Sequence, residues 1–132
     1  MIGLDTNVII RYLMKDDNKQ FALAEKCIDS AIKQKQLLNI NLAVICEVVW
    51  VLNYHYELKR NEITDFLSKV FHAEQIEIES RQLALSAFHE YQNSQVDFAD
   101  CLIGVINQSL GCSTTHTFDK KAAKLSYFNL LN

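Results

Sequence analysis

The sequence predicts a mixed α/β protein with a mainly parallel sheet, and three observations support this class. Short apolar runs alternate along the chain with longer segments whose apolar residues recur at helical spacing. The chain has no proline and only 3 glycines, so asparagine, aspartate and serine must provide its turns and helix caps. With 132 residues, of which 49% are hydrophobic, the chain is long enough to form one domain, residues 1–132.

Each predicted element follows from one of these patterns. The segment Leu42–Leu52 is apolar apart from one charge, and its continuation to Tyr56 makes it too long for a strand, which favours a buried helix. Asn61 and Ser80 are predicted to cap the next two long helices, and Gly111 is predicted to end a later one. The predicted strands are 1–4, 37–40, 76–78, 112–115 and 127–131; the predicted helices are 7–14, 19–35, 42–56, 61–71, 80–91, 97–110 and 120–124.

Charge and composition exclude several classes of function. A net charge of -3 argues against bulk electrostatic binding of nucleic acid, so any such binding needs a local site. No apolar run is long enough to span a membrane, and the N-terminus does not resemble a signal peptide, which predicts a cytoplasmic protein. The 4 cysteines lack the spacing of a zinc site and are predicted to be buried, reduced thiols.

Four aspartates lie where the predicted strands end and helices begin. Asp5 follows the first predicted strand, and Asp119 follows the fourth. Asp97 and Asp100 start the helix that precedes the fourth strand. In open parallel sheets, ligands bind at the carboxyl ends of the strands. Aspartate is also a common helix cap, and Asp97 with Asp100 resembles a capping box, so capping remains an alternative for each of them.

Glu47 lies inside the apolar helix and cannot be a cap. We expect it to be buried, which would require a proton, an ion pair or a bound cation. One alternative is therefore a salt bridge to Arg11, Arg60 or Arg81. The other is a group of carboxylates joined by a divalent cation, and hard oxygen ligands without histidine or cysteine suit Mg²⁺ or Mn²⁺.

Four motifs together resemble a known family. These are IGLDTNVIIRYL at residues 2–13, EVVWVL at 47–52, DFADCLIG at 97–104 and TFDKKAAKL at 117–125. In this order and in a chain of this length, they resemble the PIN-domain ribonucleases, and more narrowly the VapC-type toxins of bacterial toxin–antitoxin pairs. The resemblance covers nearly the whole chain.

The resemblance assigns roles to individual residues. The four acids of the family's site match Asp5, Glu47, Asp100 and Asp119, and Asp97 matches a position that is often acidic. The residues that bind the metal directly would be Asp5, Asp100 and Asp119, with Glu47 and Asp97 as further candidates. Supporting polar residues would be Thr6, Asn7 and Thr117. Apart from the resemblance, positive charge makes Arg11 and Lys120 candidates to contact RNA phosphates, with Lys121 and Lys124 as further candidates; a solvated surface is the alternative for each.

The resemblance also implies a fold, a reaction and partners. The fold would be a three-layer α/β/α sandwich with a parallel sheet of four or five short strands. The reaction would be metal-dependent endonucleolytic cleavage of RNA, with Mg²⁺ or Mn²⁺ as cofactor. The partners would be the RNA substrate, an antitoxin protein that covers the acidic site, and a second copy of the chain in a homodimer.

Other functions remain open at this stage. A receiver domain would need adjacent acids after the first strand, where this chain has only Asp5. An aspartyl phosphatase would need Asp-x-Asp at the same place, where this chain has Asp5-Thr6-Asn7. A PIN-like scaffold that only binds RNA or a partner would not need an intact set of four acids. A housekeeping RNA-processing nuclease of the same fold is the nearest alternative.

Overall fold

The computed structural model describes all residues, 1–132, and contains six α-helices and five short strands. The chain divides into two compact units, Met1–Glu79 and Ser80–Asn132. Every strand pair is parallel. The predicted α/β class with short parallel strands is therefore confirmed. No helix combines the length and the apolar character that crossing a membrane requires.

Unit 1, residues 1–79, is built on a three-stranded parallel sheet in the order β1 (Ile2–Gly3), β2 (Leu38–Ile40), β3 (Ile76–Ile78). Leu38 of the central strand is in register with Ile2 on one side and Ile76 on the other. Its core is formed by apolar side chains with almost no exposure, such as Ile10 and Leu52. The elements in chain order are β1 (Ile2–Gly3), α1 (Thr6–Met14), α2 (Asn18–Lys33), β2 (Leu38–Ile40), α3 (Leu42–Trp50), a π-helical turn (Val51–His55), α4 (Arg60–His72) and β3 (Ile76–Ile78).

Unit 2, residues 80–132, pairs two helices with a two-stranded parallel sheet. Helix α5 packs against α6, and the rings of Tyr91 and Phe98 meet edge to face with centroids 5.8 Å apart. Gly104 of α6 permits a close approach, because a Cβ atom there would lie 2.7 Å from the Tyr127 ring. The elements are α5 (Arg81–Gln92), α6 (Phe98–Ser109), β4 (Thr115–Thr117), a 3-10 turn (Ala122–Lys124) and β5 (Phe128–Leu130).

Most of the observed element bounds lie within two residues of the predicted ones, but one strand start and two helix caps differ from the prediction. The predicted strand at 112–115 begins later, at Thr115, because Gly111 (φ 95°) and Cys112 donate their N–H groups to carbonyls of the last turn of α6. Helix α4 is capped at Lys59 rather than at Asn61, and its Glu62 carboxylate accepts the Lys59 N–H at 2.9 Å. Ser80 occupies the predicted cap position of α5, but its side chain makes no capping hydrogen bond.

Candidate active site

Asp5 lies between β1 and α1, at the carboxyl end of an edge strand of the sheet. Its Oδ1 accepts the Thr6 N–H at 2.8 Å, while its carbonyl accepts N–H groups from the first turn of α1. The carboxylate is exposed, as is Asn7, whereas Thr6 is only 2% exposed. The Thr6 N–H therefore orients the exposed Asp5 carboxylate through Oδ1 alone.

Glu47 is exposed, so the expectation that it is buried is wrong. Ile45, Val48 and Val49 carry the buried face of α3, and a residue two positions from Ile45 points roughly 200° around the helix. Because nearly every residue of α3 is apolar, the sequence did not indicate which face of the helix is exposed. No salt bridge or hydrogen bond to the Glu47 side chain is present, so the structure gives no support to an ion pair with Arg11. Helix α3 packs against α1, the helix that Asp5 begins.

Arg11 belongs to a network that sequence patterns did not indicate. Its Nε donates to Gln20 at 2.6 Å, and its Nη1 lies 3.5 Å from Asp16 and donates to the Tyr56 hydroxyl at 3.2 Å. The Tyr56 hydroxyl donates to Asp16 at 2.6 Å, and this hydrogen bond holds the pKa of the Asp16 carboxyl below its usual value. Tyr56 lies 40 positions from Asp16, so no local motif could have identified the pair.

In unit 2, three of the predicted acids interact electrostatically. Asp97 is the cap residue of α6, and Asp100 lies in the first turn of that helix. Partial burial raises the pKa of Asp100, and the negative charges of Asp119 and Asp97 raise it further. The Asp97 side chain makes no capping hydrogen bond to α6, so the capping-box interpretation does not account for this pair. Asp97, Asp100 and Asp119 are hereafter called the α6 acid cluster, because the charges of Asp97 and Asp119 both act on Asp100.

Asp119 is held by the loop after β4. Its N–H donates to the Thr117 hydroxyl at 3.0 Å, and its Oδ1 accepts the N–H groups of Lys121 and Ala122 at 2.8 and 3.2 Å. Asp119 thus orders the backbone that leads into the 3-10 turn through one oxygen only, and this structural role is compatible with metal binding by the other oxygen. Lys120, Lys121 and Lys124 are all exposed beside it.

The structure contains no group of three or more His, Cys, Asp or Glu side chains arranged to hold a metal ion. All 4 histidines are exposed, and none of the cysteines forms a disulfide. The prediction of buried thiols is confirmed for Cys101 and wrong for Cys27 and Cys112, which are exposed; Cys46 is half-buried, and burial raises its pKa.

Comparison with known proteins identifies the family to which this arrangement belongs. A family model of the PIN domain matches residues 2–126. The chain belongs to the PIN-domain family. It is also similar to a protein named VapC ribonuclease from Aquifex aeolicus (strain VF5), at 24% identity over 124 residues. The match covers 94% of this chain and 91% of that protein. No solved structure matches the chain.

The PIN-domain match contains every acid that the sequence analysis singled out, from Asp5 to Asp119. The family resemblance drawn from the four motifs is thereby confirmed, and so is the PIN-like α/β fold class. One family model spans residues of both compact units. The roles of the individual residues and the organisation of residues 1–132 as a single PIN domain stay predictions.

Proposed function

We propose that this PIN-domain protein is a divalent-metal-dependent endoribonuclease, and that it is the toxin of a bacterial type II toxin–antitoxin pair acting in the cytoplasm. The observation that carries the proposal is the match of the PIN-domain model over residues 2–126, which include the α6 acid cluster. The similarity to a protein named VapC ribonuclease supports the choice of RNA as substrate.

The donor chemistry of the α6 acid cluster fits Mg²⁺ or Mn²⁺. Asp100 carries a charge that both burial and its neighbours Asp97 and Asp119 disfavour, and a hard divalent cation would offset that repulsion. Mg²⁺ retains several waters and commonly uses only one or two carboxylates together with substrate phosphates. A group of three protein ligands arranged in advance is therefore not needed.

The proposed roles divide among the four acids of the family pattern. Asp100 and Asp119 hold the cation, and Asp119 keeps one oxygen for its own loop while the other is available. Asp5, oriented by the Thr6 N–H, is the third proposed ligand. Glu47, exposed and unpaired, either joins them or accepts a hydrogen bond from the attacking water. When bound, the metal would supply an activated water and stabilise the charge that develops on the phosphate and the leaving oxygen.

Supporting residues act on the acids and on the substrate. Asn7 is exposed beside Asp5 and is placed to contact a ligand, whereas the Thr117 hydroxyl fixes the backbone of Asp119. The exposed Lys120 offers a charge to RNA phosphates close to Asp119. Arg11 is a weaker candidate for this role, because its guanidinium already contacts Asp16 and Tyr56.

The proposal includes two protein partners. An antitoxin would inhibit the enzyme by covering the exposed carboxylates, and an arginine or lysine from it would match their charge. A second copy of the chain would form a homodimer. A small protein encoded beside this chain, with a DNA-binding region, would support the toxin role, whereas its absence would favour a housekeeping RNA-processing nuclease.

Cleavage of RNA by purified protein tests the activity directly. We expect cleavage with Mg²⁺ or Mn²⁺, none with EDTA, and products that end in 5′-phosphate and 3′-hydroxyl groups. Asp119→Asn, purified in parallel, controls for contaminating nucleases. Equal cleavage by metal-free wild type, or by both proteins, would contradict the proposal; sequencing the RNA ends after brief induction would identify the substrate.

A further inference from the structure

A polar network in unit 1 joins the end of α1 to the π-helical turn that follows α3. At its centre, the Tyr56 hydroxyl donates to Asp16 at 2.6 Å and accepts from Nη1 of Arg11 at 3.2 Å. The same Nη1 lies 3.5 Å from Asp16, so the three side chains contact one another pairwise. These residues, hereafter the Tyr56 network, include none of the acids that we propose for the reaction.

We propose that Tyr56 is a positioning residue, whose hydroxyl fixes Glu47 of α3 relative to Asp5 of α1. The inference rests on the proposed function, because Tyr56 acts on the reaction only through Glu47. All of the residues that carry the inference lie within unit 1. The role of Arg11 is then to hold Tyr56 rather than to contact RNA.

The connection between Tyr56 and Glu47 is a pair of backbone hydrogen bonds. The Tyr56 N–H donates to the Val51 carbonyl at 3.2 Å, and the Val51 N–H donates to the Glu47 carbonyl. A π-helical turn takes one more residue than an α-helical turn, so the turn at Val51–His55 also sets the direction in which Tyr56 points. A restraint on the Tyr56 side chain therefore restrains the backbone that carries Glu47.

The connection between the Tyr56 network and Asp5 is α1 itself. Asp5 caps the first turn of this helix and Arg11 lies in its last turn, so one continuous helix joins them. Arg11 is held from a second side, because its Nε donates to Gln20 of α2 at 2.6 Å. Helix α1 packs against both α2 and α3. Arg11 is thus a fixed point against which Tyr56 can hold the end of the α3 segment.

The protonation states in the Tyr56 network preserve this contact at neutral pH. The hydrogen bond between Tyr56 and Asp16 lowers the pKa of the Asp16 carboxyl and raises the pKa of the Tyr56 hydroxyl. Donor and charged acceptor therefore coexist, and hydrogen bonds to ionised acceptors are among the stronger ones. Because all three side chains are partly exposed, their loss should affect the local position of α3 more than the stability of the fold.

Kinetics on a labelled oligoribonucleotide with Mg²⁺ test the role of the hydroxyl. Tyr56→Phe keeps the ring and removes the hydroxyl, and we expect kcat to fall roughly three- to tenfold with KM unchanged. Tyr12→Phe is the matched control on α1, since the Tyr12 ring stacks on Phe21 while its hydroxyl makes no hydrogen bond. This control should leave both constants unchanged. A raised KM with unchanged kcat in Tyr56→Phe would show that the network holds RNA, and would overturn the inference.

Repeating the comparison in the Glu47→Gln protein tests whether Tyr56 acts through Glu47. There we expect Tyr56→Phe to change the single-turnover rate by no more than about 1.5-fold, because the group that it positions is already altered. An equal loss in both backgrounds would contradict the inference. In the parent background, Asp16→Ala removes the acceptor of the same hydrogen bond, so its effect should not add to that of Tyr56→Phe.

Amide hydrogen exchange, measured by NMR without RNA or metal, separates this inference from the proposed function. We expect the Val51 amide, which donates to the Glu47 carbonyl, to exchange several-fold faster in Tyr56→Phe than in wild type. Tyr12→Phe should match wild type. Unchanged exchange at Val51 in Tyr56→Phe would overturn the inference whether or not the protein cleaves RNA. Faster exchange in a protein whose wild type does not cleave RNA would keep the positioning of Glu47 and reject the nuclease.

Discussion

The acids of the two units differ in how strongly they depend on their neighbours. In unit 2, Asp97 and Asp119 both raise the pKa of Asp100, which is also partly buried. In unit 1, Asp5 caps its own helix and Glu47 lies exposed on α3 without a partner. Electrostatic repulsion is therefore concentrated in the α6 acid cluster, and a bound cation would relieve it there.

The difference shows that the four acids of one motif set need not share one environment. An exposed carboxylate such as Glu47 costs little in free energy when no metal is bound, because water solvates it. The half-buried Asp100 retains its charge at a cost. We infer that unit 2 determines most of the affinity for the metal, while Glu47 affects the reaction with little effect on the fold.

The largest expected effect is on catalysis. Asp100→Asn and Asp119→Asn should each reduce RNA cleavage at least about a hundredfold, since an amide is a poor ligand for a hard cation. Asp97→Asn should be milder, because asparagine also suits a helix cap. Initial rates at saturating Mg²⁺ measure this, with thermal melts to verify folding. A greater loss for Asp97→Asn than for Asp100→Asn would reassign the ligand on α6.

A substitution at Gly104 of α6 gives the next largest expected effect, on the free energy of unfolding. A Cβ atom added at Gly104 would lie 2.7 Å from the Tyr127 ring and 2.8 Å from the Phe128 ring, whereas one added at Gly3 would meet nothing within 4 Å. We expect Gly104→Ala to lower the free energy of unfolding by about 1–3 kcal/mol. Gly3→Ala, as the matched control in unit 1, should change it little. Urea denaturation compares them, and equal stability of the two variants would contradict the close approach.

The stability of the metal-free protein should depend on pH through Asp100. Its pKa in the folded state is raised from 3.8, so its protonated form favours folding. This contribution is complete below pH 3.8 and is lost as the pH rises through the raised folded value. Asp100→Asn should therefore show a smaller decline in stability over that range than wild type. Melts in EDTA at a series of pH values measure the difference; identical slopes for the two proteins would be the contrary result.

Motif order and helical spacing were sufficient to predict the fold class and most elements. Ile76–Ile78 was predicted with its observed bounds, and Gly111 ends α6 as expected. Burial within the apolar segment was not predictable in the same way. Between Leu42 and Trp50 almost every residue is apolar, so hydrophobicity did not distinguish the face with Ile45 and Val48 from the face with Glu47.

Long-range polar contacts were the other part that the sequence did not reveal. Arg11, Asp16 and Tyr56 meet only because α1 and the π-helical turn are neighbours in the folded chain. Likewise, no spacing rule connects Asp119 with Asp100, which are far apart in sequence but influence one another in unit 2. The family resemblance grouped these two acids, and the fold provides the physical reason for grouping them.

Glu47→Gln gives the smallest expected effect on stability and the sharpest contrast with Asp100. A buried Glu47 repelled by other acids would make the glutamine variant more stable at neutral pH, and a buried ion pair would make it less stable. The exposed Glu47 has neither environment, so we expect the free energy of unfolding in EDTA to stay within about 0.5 kcal/mol of wild type. RNA cleavage should nevertheless fall sharply if the carboxylate acts on the metal or the attacking water.

Paired thermal melts and initial rates on one preparation measure both quantities. A variant with unchanged stability and unchanged cleavage would remove Glu47 from the catalytic set, whereas a large change in stability would show that its side chain is not exposed in solution.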